Sequence, residues 1–514
     1  GSCSGICRPA AIGPAAGGGG ALPPMSVRTF EIEVPESQRR DSARSSFPGR
    51  QRGSTWDETY GDSDSMEAVN AATLLQPGDT SGSGVPAAIF NLANTIMGAS
   101  LTGLPFTVRS GGIIPFLLFI TLSASMGLLT LRMLVDSSFH ALDGKKDYQA
   151  VGRTAFGNVG MKITAAATCL SCYGALVSYF VLVGTTAPIL CKLAGFALAP
   201  WKLQALMAVS VIGPLCSLKD VSALAPASLF ALTVFALMAL TSVASFVFQD
   251  TFYEGAIEKY GLPRDVDGVQ WFPKTFGFNE LSKFPTLIMA FNCQYAMLPI
   301  VANLRQGRRE DMYKVCAGGM GAAYSVYVLH AVTAYLAFAG NTKDMILLNY
   351  RHCYRDVCTL PGYTLQKCPA ANVEKLCEDD NPFITVLNGL FLLAVLMGYP
   401  CVHFALRRAQ IAMTVGVDSE FSWATHLGLA SFNICLTLFI ALLVGSKISI
   451  VFGWTGAVAS PLISFILPSL FYVRILGGRG VPLASPERLK GIGALVYGIL
   501  VMCLGVTCNL NATS

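Results

Sequence analysis

Long apolar stretches alternate with short polar segments from Val85 to the C-terminal region, and this alternation predicts membrane helices. A helix needs about 20 residues to cross the hydrocarbon core of a bilayer. Eleven stretches are long enough and nearly free of charge: 86–108, 112–136, 162–190, 203–219, 221–248, 282–303, 315–339, 382–403, 422–445, 449–473 and 490–508. The pattern predicts an all-α polytopic membrane protein with about eleven transmembrane helices, whose transmembrane domain covers residues 85–508.

The chain before Val85 has the opposite character. Residues 25–84 are rich in Ser, Arg, Asp and Gly, and such a segment buries too little apolar surface to offset the entropy lost on ordering. We predict a disordered N-terminal tail over residues 1–84 and a short C-terminal tail over 509–514. Residues 1–24 precede the first methionine, Met25; we interpret them as non-native and exclude them from fold reasoning.

Composition agrees with a lipid environment. The 514 residues are 53% hydrophobic and 13% charged, whereas an average soluble domain is about 25% charged. The net charge of +5 is too small and too scattered to indicate nucleic-acid binding. The chain has no P-loop, no metalloprotease histidine pair and no GxSxG motif, and its histidines do not cluster by spacing with acids. We therefore expect no enzyme, no metal and no cofactor, and the lipid bilayer as the partner.

Lysine and arginine near the span ends predict the orientation. With the N-terminus in the cytosol, the shorter basic loops fall on the cytosolic side, and the basic residues of the other side lie in two longer loops mixed with acids. The cytosolic set is Lys145, Lys146, Arg153, Arg305, Arg308, Arg309, Lys314, Arg407, Arg408, Arg474, Arg479, Arg488 and Lys490.

A cysteine-rich loop, residues 341–381, separates the seventh and eighth spans and is predicted to be non-cytosolic. It holds Cys353, Cys358, Cys368 and Cys377. Disulfides persist on that side of a membrane, and four cysteines allow three pairings, between which the sequence does not choose. A zinc site is the alternative, although the spacing lacks the CxxC pairs of common zinc modules.

Small and polar residues interrupt the first span, which reads FNLANTIMGASLTGLP over Phe90–Pro105. Glycine lets a backbone unwind and proline removes a donor. Unwound backbone is tolerated at membrane depth only where protein or a polar cavity covers it. Its free N–H groups, at the positive end of a half-helix, can bind a carboxylate. Close helix packing is the alternative reason for small residues.

The sixth span has a similar interruption, MAFNCQYAMLPI over Met289–Ile300. Interrupted helices at corresponding places in two repeats indicate a transporter site. The two spans are five apart, which fits two inverted five-helix repeats plus one further helix.

These segments resemble the amino acid/auxin permease family. Phe90–Gly98 is similar to the first helix of its sodium-coupled neutral amino acid transporters and vacuolar amino acid transporters. Phe291–Gln294, followed by Leu298–Ile300, resembles the sixth helix. Tyr399–Phe404, followed by Arg407, resembles the end of the eighth. The resemblance covers the whole transmembrane domain and implies a leucine-transporter-like fold with alternating access.

The resemblance also implies an amino acid substrate. The backbone of Gly98–Leu101 would bind its carboxylate, and carbonyl groups near Phe291 and Asn292 its amino group. Thr102, Asn292 and Tyr179 would shape the side-chain pocket, with simple packing as the alternative for Tyr179. The uncharged surroundings of both breaks favour a neutral substrate. The implied substrate-binding residues are Gly98, Ala99, Ser100, Leu101, Thr102, Phe291 and Asn292.

The coupling ion stays open between Na⁺, H⁺ and none. Sodium-coupled members of the family place an asparagine in helix one and a hydroxyl in helix eight around the ion. Asn94 matches the first, but Leu396–Tyr399 has no serine or threonine, so Asn94 and Gly398 are tentative ion-coupling residues. Proton coupling favours a titratable group inside the membrane. His330 lies well inside a span, and a packed neutral histidine is the alternative.

The sequence therefore predicts a secondary active transporter of amino acids, most simply neutral ones. The alternative function is a transporter-like amino acid sensor that signals through the N-terminal tail. The membrane is either the plasma membrane or a vacuolar or endolysosomal one, because both place the cysteine-rich loop on a non-cytosolic side.

Overall fold

The computed structural model describes residues 84–141, 147–193, 195–196, 198–218, 225–248, 268–275, 277–305, 307–349, 382–414 and 422–513. The predicted N-terminal tail, except Gly84, and most of the cysteine-rich loop, with its four cysteines, lie outside the described residues. In chain order the helices are α1 Val85–Ile96, α2 Leu104–Gly111, α3 Ile113–Ser138, α4 Tyr148–Leu193, α5 Pro200–Met207, α6 Gly213–Cys216, α7 Ala225–Val247, α8 Phe278–Leu281, α9 Pro285–Ala290, α10 Gln294–Ala302, α11 Arg309–Phe338, α12 Pro382–Thr414, α13 Trp423–Val444, α14 Ile448–Trp454, α15 Leu467–Gly478 and α16 Pro486–Thr513.

Nine helical segments among these residues have at least 18 residues and are apolar enough to cross a membrane. They correspond to nine of the predicted spans and confirm the polytopic all-α class. The first predicted span is divided between α1 and α2, and the fourth consists of α5, a π-helical turn at Ala208–Ile212 and α6. The count of eleven crossings therefore stays a prediction.

Two boundaries differ from the sequence-based expectation. The last helix, α16, continues through Thr513, beyond the predicted end at residue 508, because polar Asn509 is satisfied inside the bundle. Its amide donates to the carbonyl groups of Gly453 and Gly505 over 3.3 and 2.8 Å.

At the start of α4, Gly157 has φ 63°, a left-handed value that glycine adopts without steric cost. The chain bends there, just before the third predicted span.

Helix α11 packs closely against α1 because two glycines of α11 face it. A Cβ atom added at Gly318 would lie 2.7 Å from Ile89 Cδ1, and one at Gly319 would lie 2.8 Å from Leu92 Cγ. Small residues at helix crossings allow such close backbone approach inside membranes. This contact fixes α11 beside the first span, where its side chains reach the interruption.

Candidate functional site

Both predicted interruptions are present in the structure. In the first span, α1 ends at Ile96, Gly98 has φ −136° and ψ −148°, and a 3-10 turn at Ala99–Thr102 precedes α2. In the sixth span, α9 ends at Ala290 and α10 begins after Cys293, which has φ −133° and ψ 2°. Each interruption releases backbone groups that a continuous helix would pair.

The released groups have opposite hydrogen-bonding character. At the first interruption, the N–H groups of Ala99 and Ser100 have no acceptor within the described part of the chain. At the second, the carbonyl groups of Phe291 and Asn292 receive no donor from those same residues. Donors at one break and acceptors at the other suit the carboxylate and the ammonium group of an amino acid.

Tyr327 of α11 connects the two interruptions. Its hydroxyl lies 2.7 Å from the carbonyl oxygen of Ile96 and 3.0 Å from that of Ala290. The Ser100 hydroxyl lies 3.3 Å from the same atom. The Tyr327 side chain is fully buried, so the two breaks meet around one phenol in the interior of the bundle.

The polar side chains of the sixth-span break are held by two other spans. Asn292 Nδ2 donates to Ser171 Oγ of α4 over 2.5 Å. Ser464, in the π-helical turn before α15, lies 3.3 Å from Asn292 Oδ1 and donates to Gln294 Oε1 over 2.8 Å. The Cys293 N–H also donates to Gln294 Oε1, over 3.0 Å. The break is therefore anchored from both sides.

The hydroxyl of Thr102 is used inside the first break. It donates to the carbonyl group of Ala99 over 2.8 Å, and Thr102 and Leu101 are fully buried. Thr102 therefore stabilises the 3-10 turn. Its predicted contribution to the side-chain pocket stays a prediction, as do the predicted substrate contacts of Ala99 and Leu101.

Tyr179 of α4 lies between the first and eighth spans. A Cβ atom at Gly98 would be 3.6 Å from the Tyr179 hydroxyl, and one at Gly398 would be 3.5 Å from it. That hydroxyl has no hydrogen-bond partner among the described residues. The Tyr179 side chain thus lies between Gly398 of the eighth span and Gly98 of the first-span break. The sequence had suggested Tyr179 only as a candidate residue of the side-chain pocket.

Asn94 has a buried side-chain oxygen, Oδ1, without a hydrogen-bond partner in the described part of the protein. Buried acceptors are normally satisfied, so this oxygen is available to a donor or a cation. His330 differs, because its Nδ1 lies 2.7 Å from Ser242 Oγ of α7 while Nε2 has no partner within the described ranges. His330 is completely buried, one helical turn after Tyr327.

A loop covers the first break on the side of α2. Met345, Ile346 and Leu347 after α11 are buried, and a Cβ atom at Gly103 would lie 3.0 Å from Phe452 and 3.8 Å from the carbonyl oxygen of Asp344. Burial raises the pKa of the Asp344 carboxyl above its ordinary value. The loop and Phe452 therefore pack directly against the end of the first break.

Sequence reasoning missed Tyr327, Ser171 and Ser464. These residues come from the seventh, third and tenth spans, and each is one of several hydroxyl-bearing residues scattered along an apolar helix. No local motif distinguishes them from hydroxyls that bond within their own helix, as Thr168 does with Thr164. Only the packing of the spans brings them to the breaks.

Residues 81–357 and 372–508 match the model of a family described as transmembrane amino acid transporter protein. The chain is 27% identical over 444 residues to sodium-coupled neutral amino acid symporter 2 of Danio rerio, covering 80% of this chain and 79% of that protein. It is 25% identical over 475 residues to sodium-coupled neutral amino acid transporter 4 of Rattus norvegicus, covering 80% of this chain and 81% of the relative.

Two solved structures share the fold. The structure of MhsT in complex with L-phenylalanine is similar with a TM-score of 0.51 and 11% identity. The match covers 84% of this chain and 100% of the MhsT chain. Mhp1, a nucleobase–cation-symport-1 family transporter with bromovinylhydantoin bound, gives a TM-score of 0.50 and 12% identity, covering 84% and 96%. These likenesses concern the fold alone, and they confirm the predicted leucine-transporter-like class.

Proposed function

From the premise that this chain belongs to the transmembrane amino acid transporter protein family, we propose that it is a secondary transporter of neutral amino acids that works by alternating access. One observation carries the proposal. Free N–H groups at Ala99 and Ser100 and free carbonyl groups at Phe291 and Asn292 belong to two breaks that share the Tyr327 hydroxyl. The first set would bind a carboxylate, and the second an ammonium group.

A neutral side chain is the better fit to this centre. The segments Phe90–Pro105 and Met289–Ile300 contain no Asp, Glu, Lys or Arg. A charged substrate side chain would then lose its hydration without gaining a counter-ion, and this desolvation costs on the order of several kcal/mol. The names of both relatives specify neutral amino acids, which supports the same substrate class for this chain.

We propose Na⁺ as the coupling ion, with Asn94 Oδ1 as one ligand. The unpaired buried oxygen of Asn94 supports this role, and unwound backbone carbonyls can supply the remaining oxygen ligands in broken-helix transporters. Both named relatives are described as sodium-coupled. Gly398, beside Tyr179, brings the eighth-span backbone near the first break, and a carbonyl group there would replace the missing serine or threonine.

The protein is a multi-pass membrane protein, and we propose that its N-terminus faces the cytosol, as the basic loops favour. The sensor alternative is not favoured, because both named relatives are transporters. We keep the plasma membrane and a vacuolar or endolysosomal membrane as the two proposed locations.

Uptake into proteoliposomes tests the proposal. The purified full chain would be reconstituted and supplied with labelled alanine, glutamine, lysine or glutamate, under an inward Na⁺ gradient, an inward H⁺ gradient or neither. We expect uptake of alanine or glutamine that depends on the Na⁺ gradient and is absent from protein-free liposomes. Absence of uptake of every amino acid under both gradients would overturn the proposed function, and uptake driven only by H⁺ would overturn the sodium assignment.

A further inference from the structure

The hydroxyl of Tyr327 lies within hydrogen-bond distance of the last helical carbonyl group before each break. In a continuous helix the N–H of residue i pairs with the carbonyl of residue i−4. The partner of the Ile96 carbonyl would be the N–H of Ser100, and the partner of the Ala290 carbonyl would be the N–H of Gln294. The Tyr327 hydroxyl lies 2.7 and 3.0 Å from these two oxygens, so it can replace the missing helical donor of either one.

A phenol has one proton and two acceptor lone pairs. Both carbonyl groups only accept, so the proton serves one of them at a time or is shared between them. The Ser100 hydroxyl, 3.3 Å away, can donate to the phenol oxygen. The Tyr327 hydroxyl thus stands beside the acceptor through which each helix would continue across its break, Ile96 O in one and Ala290 O in the other. The Ser100 N–H is left without its helical partner.

We propose that Tyr327 is a positioning residue for the amino acid site, which keeps the two breaks open and at a fixed separation. This inference rests on the proposed function. The carboxylate and ammonium groups are attached to one carbon in every α-amino acid, so their donors and acceptors must stay at one spacing. A phenol that contacts both breaks sets that spacing without contact to the substrate.

The position of the hydroxyl is itself well defined. The Tyr327 ring packs edge-on against the Phe291 ring, with centroids 5.4 Å apart and an interplanar angle of 68°. Its helix is held to α1 by the close approach at Gly318 and Gly319. Groups held by packing and hydrogen bonds keep a binding site pre-organised, so loss of the hydroxyl should loosen the spacing while the ring keeps the core filled.

The mechanism makes a specific prediction about selectivity. The Tyr327 hydroxyl positions the backbone that binds the carboxylate and ammonium groups, which all α-amino acids share. Loss of this hydroxyl should therefore weaken the binding of every substrate by the same factor. A residue of the side-chain pocket would change the ranking of substrates. A residue with only a structural role would lower the amount of folded transporter and leave KM unchanged.

The test is Tyr327→Phe in proteoliposomes, with KM and maximal rate measured for two transported amino acids of different side-chain size. We expect KM to rise about tenfold for both, since losing one buried hydrogen bond of this kind costs about 1–2 kcal/mol. The maximal rate per folded transporter should change less. Tyr335→Phe is the matched control, because Tyr335 is a buried tyrosine of the same helix whose hydroxyl accepts from the Gln270 N–H over 2.8 Å, away from the breaks.

An unchanged KM, or factors that differ several-fold between the substrates, would overturn the inference. Should Tyr327→Phe not fold, Ser100→Ala is the deciding variant, because it removes only the hydroxyl that contacts the phenol oxygen. A uniform KM increase smaller than tenfold supports the inference, and an unchanged KM overturns it. Failure of the wild-type protein to transport any amino acid counts against the proposed function instead, so the two failures are distinguishable.

Discussion

The side-chain amide of Asn292 donates to the hydroxyl of Ser171 over 2.5 Å, so a residue of the sixth-span break is tied to the third span. Asn292 was predicted beside the substrate, and its amide is engaged with protein on both of its polar atoms, since Ser464 contacts its Oδ1. The side chain therefore fixes the backbone of the break, whose carbonyl groups are the proposed ammonium ligands.

Ser171→Ala should weaken amino acid binding by loosening this anchor. A neutral hydrogen bond contributes about 1 kcal/mol, so KM should rise about fivefold while the maximal rate changes less. Ser178→Ala is the control, because Ser178 lies on the same helix and donates only to its own helix, at Ala175. The effects of Ser171→Ala and Asn292→Ala should be less than additive in uptake kinetics, and full additivity would argue against the shared anchor.

Substitution at Gly98 should be tolerated or not according to side-chain size. A Cβ atom there would make an ordinary contact, 3.6 Å from the Tyr179 hydroxyl, so Gly98→Ala should keep most of its transport. Gly98→Leu would fill the space beside the free N–H groups, and we expect loss of uptake with normal arrival at the membrane. The control is Gly428→Leu, at an exposed position of α13 with no atom near the added Cβ. Normal uptake by Gly98→Leu would contradict the carboxylate site.

Asn94→Ala should raise the Na⁺ concentration that gives half-maximal uptake. The substitution removes the one buried side-chain oxygen without a hydrogen-bond partner in the described parts of α1, and with it the proposed sodium ligand. Titration of uptake with Na⁺ at fixed total salt would measure the change, with Asn91→Ala as the control because Asn91 is exposed on the same helix. An unaltered Na⁺ dependence in Asn94→Ala would remove Asn94 from the ion site.

Asp344→Asn should stabilise the protein at neutral pH. Burial raises the pKa of this carboxyl in the loop above the first break, so the folded-state pKa exceeds the unfolded one. Protonation then favours the folded state, and ionisation costs stability as the pH rises through the folded-state pKa. We expect the melting temperature of Asp344→Asn to exceed that of the wild type at pH 8 and the difference to shrink at pH 4.

Thermal unfolding in detergent at the two pH values measures this effect. Glu310→Gln, at an exposed carboxyl, controls for the loss of one negative charge. A pH-independent difference for Asp344→Asn would show that burial of the charge is not the cause.

Much of the fold followed from the apolar pattern, because the bilayer imposes strong rules on chain segments. Only helices of about 20 apolar residues satisfy their own backbone groups in lipid, so nine predicted spans reappear as long helical segments, of which the sixth is interrupted. The breaks were also readable, since Gly98 and Asn292 interrupt otherwise apolar runs. The start of α4 was not, because a bend at Gly157 joins a helical segment to the third span.

The sequence by itself determined the spans, the two interruptions and the family likeness, because each depends on residues that are neighbours in the chain. The tertiary structure decided what meets at the interruptions. Ser171, Ser464 and Tyr327 lie more than a hundred residues from at least one of the atoms that they contact, and an isolated hydroxyl in an apolar helix carries no local sign of its partner. Their roles arise only when helix packing places one donor beside two broken helices.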